Sequence, residues 1–222
     1  MDSPKKIKVE IWSDVMCPFC YIGKRKFEAA LEQFPQKDIV EIEWKSFQLS
    51  PYMKTDPSKS INRFLAEHKG ISEEQAAAMN DRVTELAAKV GLKYDFSKAI
   101  VANSFKAHCF SHFAKENGKQ MEAEEALFKA YFTEGKNTDD DQVLLEIGEA
   151  IGLDKDALKL VLGSGMYGED VKQDIRDAQQ IGVQGVPFFV FDRKFAVSGA
   201  QESGIFLDVL NKTYAESIRC SS

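Results

Sequence analysis

Apolar and charged residues alternate near the start of the chain, over residues 7–12. This two-residue period is typical of a half-buried β-strand. Residues 21–34 then follow a helical pattern, and the alternation returns over residues 40–44. The first fifty residues therefore predict the order strand, helix, strand.

Helical patterns dominate the middle of the chain, from about residue 60 to residue 181. The segment Ser72-Glu73-Glu74-Gln75 predicts a capping box at the start of one helix, and Gly91 is placed to end it. Thr138 and Asp154 are expected to be the N-caps of two later helices. Apolar residues at helical spacing mark two more helices: Phe105, Cys109 and Phe113 in one, and Ala123, Leu127, Ala130 and Tyr131 in the other.

Strand character returns near the end of the chain. Residues 186–191 are almost entirely apolar, and residues 195–198 are expected to pair with them as a hairpin across a turn at residues 192–194. A last helix is predicted over residues 201–216. We therefore predict an α/β fold in which the long helical block is an insertion packed on the core.

Composition and charge narrow the class of protein. The chain has 222 residues, 44% of them hydrophobic, and a net charge of −6. This length and composition suit a globular protein with a substantial core. Nucleic acid and anionic membranes both require a basic surface, so neither is expected as a partner. No apolar run approaches the length of a membrane span, and the first residues lack the pattern of a signal peptide. A cytoplasmic location is therefore expected.

Candidate chemistry lies at the junction of the first predicted strand and helix, in the C-x-x-C segment Cys17-Pro18-Phe19-Cys20. Pro18 suits the first helical position, because its missing N–H would be unpaired there. Cys17 then lies at the helix N-terminus, where free N–H groups and the helix dipole favour an anion. The thiolate is the nucleophile in disulfide exchange. The pair is predicted to cycle between dithiol and disulfide, with Cys17 exposed and Cys20 more buried.

Metal binding and a purely structural role are the other uses of such a pair. A zinc site usually needs a second pair of ligands, and the sequence has no second C-x-x-C. His108 and His112 are four residues apart, a spacing that can bind a metal, but no third ligand is evident. No metal site is therefore expected. Cys109 is expected to pack in the core, and Cys220 is expected to be exposed near the terminus.

A second motif, Gly185-Val186-Pro187, stands before the last apolar strand, where a proline fits because it cannot donate to a β-ladder. The chain resembles the DsbA family, and within it the FrnE-like branch of thiol–disulfide oxidoreductases. Four segments carry the resemblance: SDVMCPFCYIG at 13–23, NSFKAH at 103–108, ALFKAYF at 126–132 and GVQGVPFF at 182–189.

The resemblance implies a thioredoxin fold built from residues 1–55 and 180–222, with residues 56–179 as an inserted helical domain. It also implies redox roles for Cys17, Cys20 and Pro187. In thioredoxin folds this proline is cis, faces the C-x-x-C, and leaves the backbone of the preceding residue free to pair with a substrate peptide.

The same resemblance suggests the substrate contacts and partners. Pro18, Phe19, Val186 and His108 are expected to contact the substrate. The implied partners are protein or small-molecule disulfides and thiols. No cofactor is implied beyond the redox-active Cys17–Cys20 disulfide, although glutathione is left open as a co-substrate.

Two positions depart from the family's pattern. The dipeptide between the cysteines is Pro18-Phe19, where relatives often have Pro-Trp or Pro-His, so their redox potential cannot be carried over. Many thioredoxin-like proteins also place a buried carboxylate, which relays protons, six residues before the first cysteine. Here that residue is Ile11. Glu10 and Asp14 are close in sequence but are expected to point elsewhere, so any relay would run through water or another group.

These observations favour thiol–disulfide exchange through a mixed disulfide. The alternative is a glutathione-dependent isomerase or transferase of the 2-hydroxychromene-2-carboxylate isomerase or kappa class, which share the inserted fold. Those relatives carry serine at the position of Cys17, so the presence of both cysteines favours the redox function. A third hypothesis is a non-catalytic chaperone or binding module in which the C-x-x-C is a relic.

Overall fold

The fold is centred on a four-stranded sheet, seen in a computed structural model that describes residues 6–219. The strands are β1 (Ile7–Ser13), β2 (Val40–Ser46), β5 (Phe188–Phe191) and β6 (Phe195–Ser198). Their order in the sheet is β2-β1-β5-β6. β1 is parallel to β2 and antiparallel to β5, and β6 is antiparallel to β5. The sheet therefore joins strands from the two ends of the chain.

One face of the sheet is covered by α1 (Pro18–Gln33) and α9 (Ser203–Arg219). The ring of Phe27 on α1 packs against Phe189, Phe191 and Phe206. Such tilted and edge-on ring contacts add to the stabilisation gained by burying their area. This aromatic cluster holds α1, and with it the C-x-x-C at the start of that helix, against β5.

The chain between β2 and β5 is mostly helical, as predicted. Its helices are α2 (Ile61–Lys69), α3 (Glu73–Ala88), α4 (Phe105–Glu116), α5 (Gln120–Phe132), α6 (Asp141–Ala150), α7 (Lys155–Ser164) and α8 (Gly168–Gln180). A small antiparallel pair, β3 (Asp56–Ser60) and β4 (Ile100–Val101), was not predicted. These strands are too short for periodicity to show them. None of the described helices is both long and apolar enough to cross a membrane.

The helix caps test the sequence patterns directly. Ser72 and Gln75 form the predicted capping box, and Asp154 caps α7 as expected. Thr138 is not an N-cap, which corrects the sequence-based assignment. The side chain of Asp140 caps α6 by accepting hydrogen bonds from two backbone N–H groups, whereas Thr138 is buried. A carboxylate at the N-cap also complements the helix dipole.

The opposite face of the sheet is covered by α8. Trp12 Nε1 donates to the backbone oxygen of Asp174 over 2.9 Å, and the Asp174 carboxylate accepts from the backbone N of Ser46, also over 2.9 Å. The ammonium of Lys45 lies 2.9 Å from the same carboxylate. α8 thus packs on the sheet itself, although all but its last residue falls within residues 56–179. The division of the chain into a 1–55 plus 180–222 domain and an insertion stays a prediction.

Candidate active site

The C-x-x-C occupies the start of α1. Cys17 is the N-cap residue and Pro18 takes the first helical position, the arrangement that the sequence predicts. The backbone N of Cys17 donates to the Asp14 carbonyl over 2.9 Å, and the backbone N of Cys20 donates to the Cys17 carbonyl over 3.0 Å. Both thiols are free. Two cysteines separated by one helical turn are thereby held at one helix end.

Both sulfur-bearing residues are buried, which corrects the expectation that Cys17 is exposed. The exposed fraction is 4% for Cys17 and 1% for Cys20. Burial raises the pKa of the Cys20 thiol well above its usual value, and the neighbouring Cys17 adds to this effect. Cys20 therefore holds its proton at neutral pH, as a resolving thiol that waits for its partner would.

The Val186–Pro187 segment lies beside Cys17, and Pro187 is one residue before β5. The Val186–Pro187 peptide bond is cis. The Sγ of Cys17 lies 3.5 Å from the Val186 carbonyl oxygen, and the Pro187 carbonyl accepts from the backbone N of Gly199 over 2.8 Å. The structure therefore brings Cys17 and Val186–Pro187 together across 169 positions of sequence.

Tyr94 is a member of the site that sequence reasoning missed. Its hydroxyl donates to the Pro18 carbonyl over 2.7 Å, and its ring stacks on Tyr21 and Phe132. Burial raises the pKa of Tyr94, and the nearby Cys17 raises it further. The residue lies between α3 and β4, where no sequence pattern distinguished it. Its hydrogen bond to Pro18 anchors the first turn of α1 to the helical region.

A cavity of about 330 Å³ opens beside Cys17. Pro18 and Phe19 form part of its wall, and α2 and α5 contribute Phe64 and Tyr131. Phe19 is partly exposed. Most of the wall is apolar, so the cavity suits an apolar group next to Cys17.

His108 does not contribute to that wall. Its imidazole is buried, with Nε2 lying 3.6 Å from the Asp14 carboxylate. Burial lowers the pKa of His108, but the Asp14 carboxylate outweighs this effect, so the pKa is raised overall. His112, one turn later, pairs instead with the carboxylate of Asp174 over 3.0 Å and lies 3.2 Å from the Ser46 hydroxyl. The two histidines therefore face different acids.

Asp14 points into the protein behind the C-x-x-C, contrary to expectation. It is fully buried, and one carboxylate oxygen accepts from the backbone N of Leu49 over 2.8 Å. Glu10 does point elsewhere, since it is held by the guanidinium of Arg193. Ile11 is buried as an apolar residue. The signal that could have identified Asp14 was its position between the strand and the C-x-x-C, where the chain turns inward.

The remaining cysteines are separate from this site. Cys109 is buried among core residues, as predicted, and burial raises its pKa to about 11. Cys220 lies outside the described residues, so its expected exposure stays a prediction.

Comparison with protein families identifies the class of protein. The family model of the DSBA-like thioredoxin domain matches residues 8–211. This chain belongs to that family. The DsbA-like assignment confirms the resemblance stated from the sequence motifs and the predicted thioredoxin fold with a helical region.

Individual proteins are also similar to this chain. A probable DsbA oxidoreductase from Streptomyces coelicolor has a similar solved structure, with 37% identity and a TM-score of 0.88 over 95% of this chain and 91% of that one. The uncharacterised Bacillus subtilis protein YwbO is 28% identical over 90% of this chain and 94% of its own. A 2-hydroxychromene-2-carboxylate isomerase shares the fold at 15% identity, with a TM-score of 0.70 over 97% of this chain and all of that one.

Proposed function

We propose that this DsbA-like protein is a thiol–disulfide oxidoreductase that acts on protein or small-molecule disulfides through Cys17 and Cys20. The observation that carries the proposal is the meeting of three groups. Cys17 caps a helix N-terminus, Cys20 lies one turn behind it, and the cis Val186–Pro187 bond faces the first thiol. A helix N-terminus favours the thiolate that disulfide exchange requires.

The reaction consists of two exchanges. The Cys17 thiolate attacks one sulfur of the substrate disulfide, so that a mixed disulfide forms and one substrate thiolate leaves. Cys20 then loses its proton and attacks Cys17 Sγ. This forms the Cys17–Cys20 disulfide and releases the second substrate thiolate. The two cysteines lose two electrons, which the substrate disulfide gains. The reverse sequence oxidises a dithiol.

The substrate is proposed to lie along the cavity mouth. Pro18 and Phe19 would contact the groups next to its disulfide, since they line the cavity beside Cys17. The backbone of Val186 would pair with an extended substrate segment, as strand addition allows. Its carbonyl is already within reach of the Cys17 sulfur.

We place this activity in the cytoplasm, with glutathione as a co-substrate that restores the dithiol. Cys109 is a buried free thiol, which suits a reducing compartment. In such a compartment the net direction is reduction or isomerisation of substrate disulfides.

The alternative is a glutathione-dependent isomerase or transferase. Its support is the fold shared with the 2-hydroxychromene-2-carboxylate isomerase. That alternative does not need two thiols, whereas here both are held at one helix end, so we favour the redox function.

Reduction of insulin disulfides with glutathione as the electron donor tests the proposal. Wild type should turn over, and Cys17→Ser should lose at least about a hundredfold in rate, because the nucleophile is gone. Cys109→Ala is the matched control, since it removes a thiol from the core. Full turnover by Cys17→Ser would refute the redox function and support the glutathione-dependent alternative.

A further inference from the structure

Three polar residues from three different elements meet behind the redox site. Asp14 comes from the turn between β1 and α1, His108 from α4 and Tyr131 from α5. Their exposed fractions are 0%, 3% and 1%. Asp14 and His108 are separated by 3.6 Å, and the pKa of Tyr131, raised chiefly by burial, is raised further by the Asp14 charge. The three side chains therefore form one buried polar cluster.

The cluster is incompletely satisfied. Within residues 6–219, three buried side-chain atoms have no hydrogen-bond partner: Ser13 Oγ, His108 Nε2 and the Tyr131 hydroxyl. A buried polar group without a partner costs about 1–3 kcal/mol, so folding stability does not account for these atoms. By contrast, the nearby buried Glu124 accepts a hydrogen bond from the Ser111 hydroxyl over 2.6 Å. Unpaired polar atoms next to an active site call for a functional explanation.

The cluster connects with both cysteines. The Asp14 carbonyl accepts from the backbone N of Cys17. The Asp14 amide and the Ser13 hydroxyl face the Cys20 sulfur, where both lower the thiol pKa without cancelling the effect of burial. Tyr131 lines the cavity together with Cys17. The backbone of Asp14 therefore connects the cluster with the cysteines, and Tyr131 places it against the cavity.

The chemistry of Cys20 requires such a neighbour. Cys20 must lose its proton before it attacks the mixed disulfide, yet burial favours the protonated thiol. The position six residues before Cys17 is the apolar Ile11, so it cannot accept that proton. A group elsewhere must accept it.

We propose that Asp14, His108 and Tyr131 accept and return the proton that moves when Cys20 reacts; this inference rests on the proposed redox function. The proton leaves Cys20 Sγ and passes by the Ser13 hydroxyl to His108, whose charged form Asp14 stabilises. Cys20 sulfur then bonds to Cys17 Sγ, and the bond from Cys17 to the substrate breaks. His108 then releases the proton through the Tyr131 side of the cavity, to the departing substrate thiolate where that sulfur is basic enough to hold it and otherwise to solvent.

The charges around His108 set the pH at which it can accept a proton. Asp14 faces it from the β1–α1 turn and Glu124 faces it from α5, and both raise its pKa, as does the backbone of Phe47. Glu124 is itself influenced by Lys24 of α1 and by His112. The expected inflection in the rate of Cys20 attack therefore lies above 6.5, the ordinary pKa of histidine. The rate rises with pH, because neutral His108 is the acceptor.

The test separates the two exchanges. Reduced protein in a Cys220→Ser background is mixed with a small aromatic disulfide whose released thiolate is coloured. The first equivalent reports attack by Cys17 and the second reports resolution by Cys20. We expect His108→Gln to slow the second phase at least about tenfold at pH 7 and to abolish its pH inflection, with the first phase unchanged. Asp14→Asn should move the inflection to lower pH, because the pKa of His108 falls without the carboxylate.

Two further variants distinguish an effect on proton transfer from an effect on the protein's structure. His112→Gln alters the other buried histidine of α4, which faces Asp174 and not Asp14. This variant should leave both phases unchanged. Tyr131→Phe removes a hydroxyl that has no partner, so it should not lower stability, yet it should slow the second phase severalfold. If His108→Gln and Tyr131→Phe both resolve at the wild-type rate and pH inflection, the inference is overturned while the two phases still support the redox function. Loss of either phase in wild type would instead refute the redox function.

Discussion

Gly23 lies directly beneath the ring of Pro187. A Cβ placed on Gly23 would lie 2.9 Å from Pro187 Cγ and 3.5 Å from both Ala200 Cβ and the ring of Phe189. The first of these distances is closer than carbon atoms tolerate without movement. The absence of a side chain at this one position of α1 lets the helix that carries the cysteines approach the proline that faces them.

Gly23→Ala should therefore lower both stability and activity. Alanine favours a helix over glycine by about 1 kcal/mol, but overpacking against Pro187 should outweigh that gain and leave a net loss of about 1–2 kcal/mol. Urea unfolding measures the first effect and insulin reduction the second. Gly163→Ala in α7 is the matched control, because nothing lies within 4 Å of its Cβ position; it should stabilise the protein by up to about 1 kcal/mol. Equal stabilisation by both substitutions would show that Gly23 does not limit the approach to Pro187.

Variants that lack one or the other active-site cysteine should differ in the mixed disulfides that they accumulate. Cys17 faces Val186 and the cavity, whereas Cys20 lies behind it with a raised pKa. Cys20→Ser should therefore accumulate a mixed disulfide with oxidised glutathione, and Cys17→Ser should accumulate none. Intact-protein mass spectrometry measures the adduct. The reverse pattern would exchange the two roles, and equal trapping would mean that the helix terminus does not govern reactivity.

The cysteines should also differ in their rates of alkylation. In a Cys220→Ser background, iodoacetamide at neutral pH should modify Cys17 first. Burial raises the pKa of Cys20 and raises that of Cys109 to about 11, so both remain protonated and react slowly. Peptide mapping over time gives the order, and modification of Cys20 and Cys109 should accelerate as the pH rises. Cys109 reacting before Cys17 would contradict the assignment of the nucleophile.

Glu125 should make the free energy of unfolding depend on pH in the acidic range. Burial raises its pKa, but hydrogen bonds from Arg25, Lys24 and Tyr21 outweigh this and bring the pKa to about 2. Because the folded-state pKa is depressed, the stabilisation is complete above the unfolded value of about 4.3 and is lost as the pH falls toward 2. Since a third of the side chain is exposed, solvent screening reduces the contribution to about 1–2 kcal/mol.

Urea unfolding of Glu125→Gln at several pH values checks this prediction. The gap in stability between wild type and variant should be widest near neutral pH and should shrink between about pH 4.5 and pH 2. Glu122→Gln, an exposed position on the same helix that pairs with Lys119, should show a much smaller gap. A gap that does not change with pH would mean that the charge of Glu125 is not what stabilises the contact between α1 and α5.

The sequence by itself determined the order of the elements, apart from the short strands β3 and β4, and the chemistry at the start of α1. Strand and helix patterns depend on residues two to four positions apart, and Pro18, Ser72 and Asp154 act on the first turns of their own helices. These interactions are local, so they can be read along the chain. The assignment of Thr138 failed because two nearby residues could cap the same helix, and in the structure Asp140 accepts the capping hydrogen bonds while Thr138 is buried.

Only the tertiary structure decided which residues meet. His108 is 94 positions from Asp14, yet it turns to that carboxylate while His112 turns to Asp174. The burial of Cys17 and the approach of Gly23 to Pro187 likewise depend on helices packing against a sheet built from both ends of the chain. Such contacts result from the packing of the whole core, in which a shift of one side chain moves its neighbours. No periodicity along the sequence encodes that arrangement.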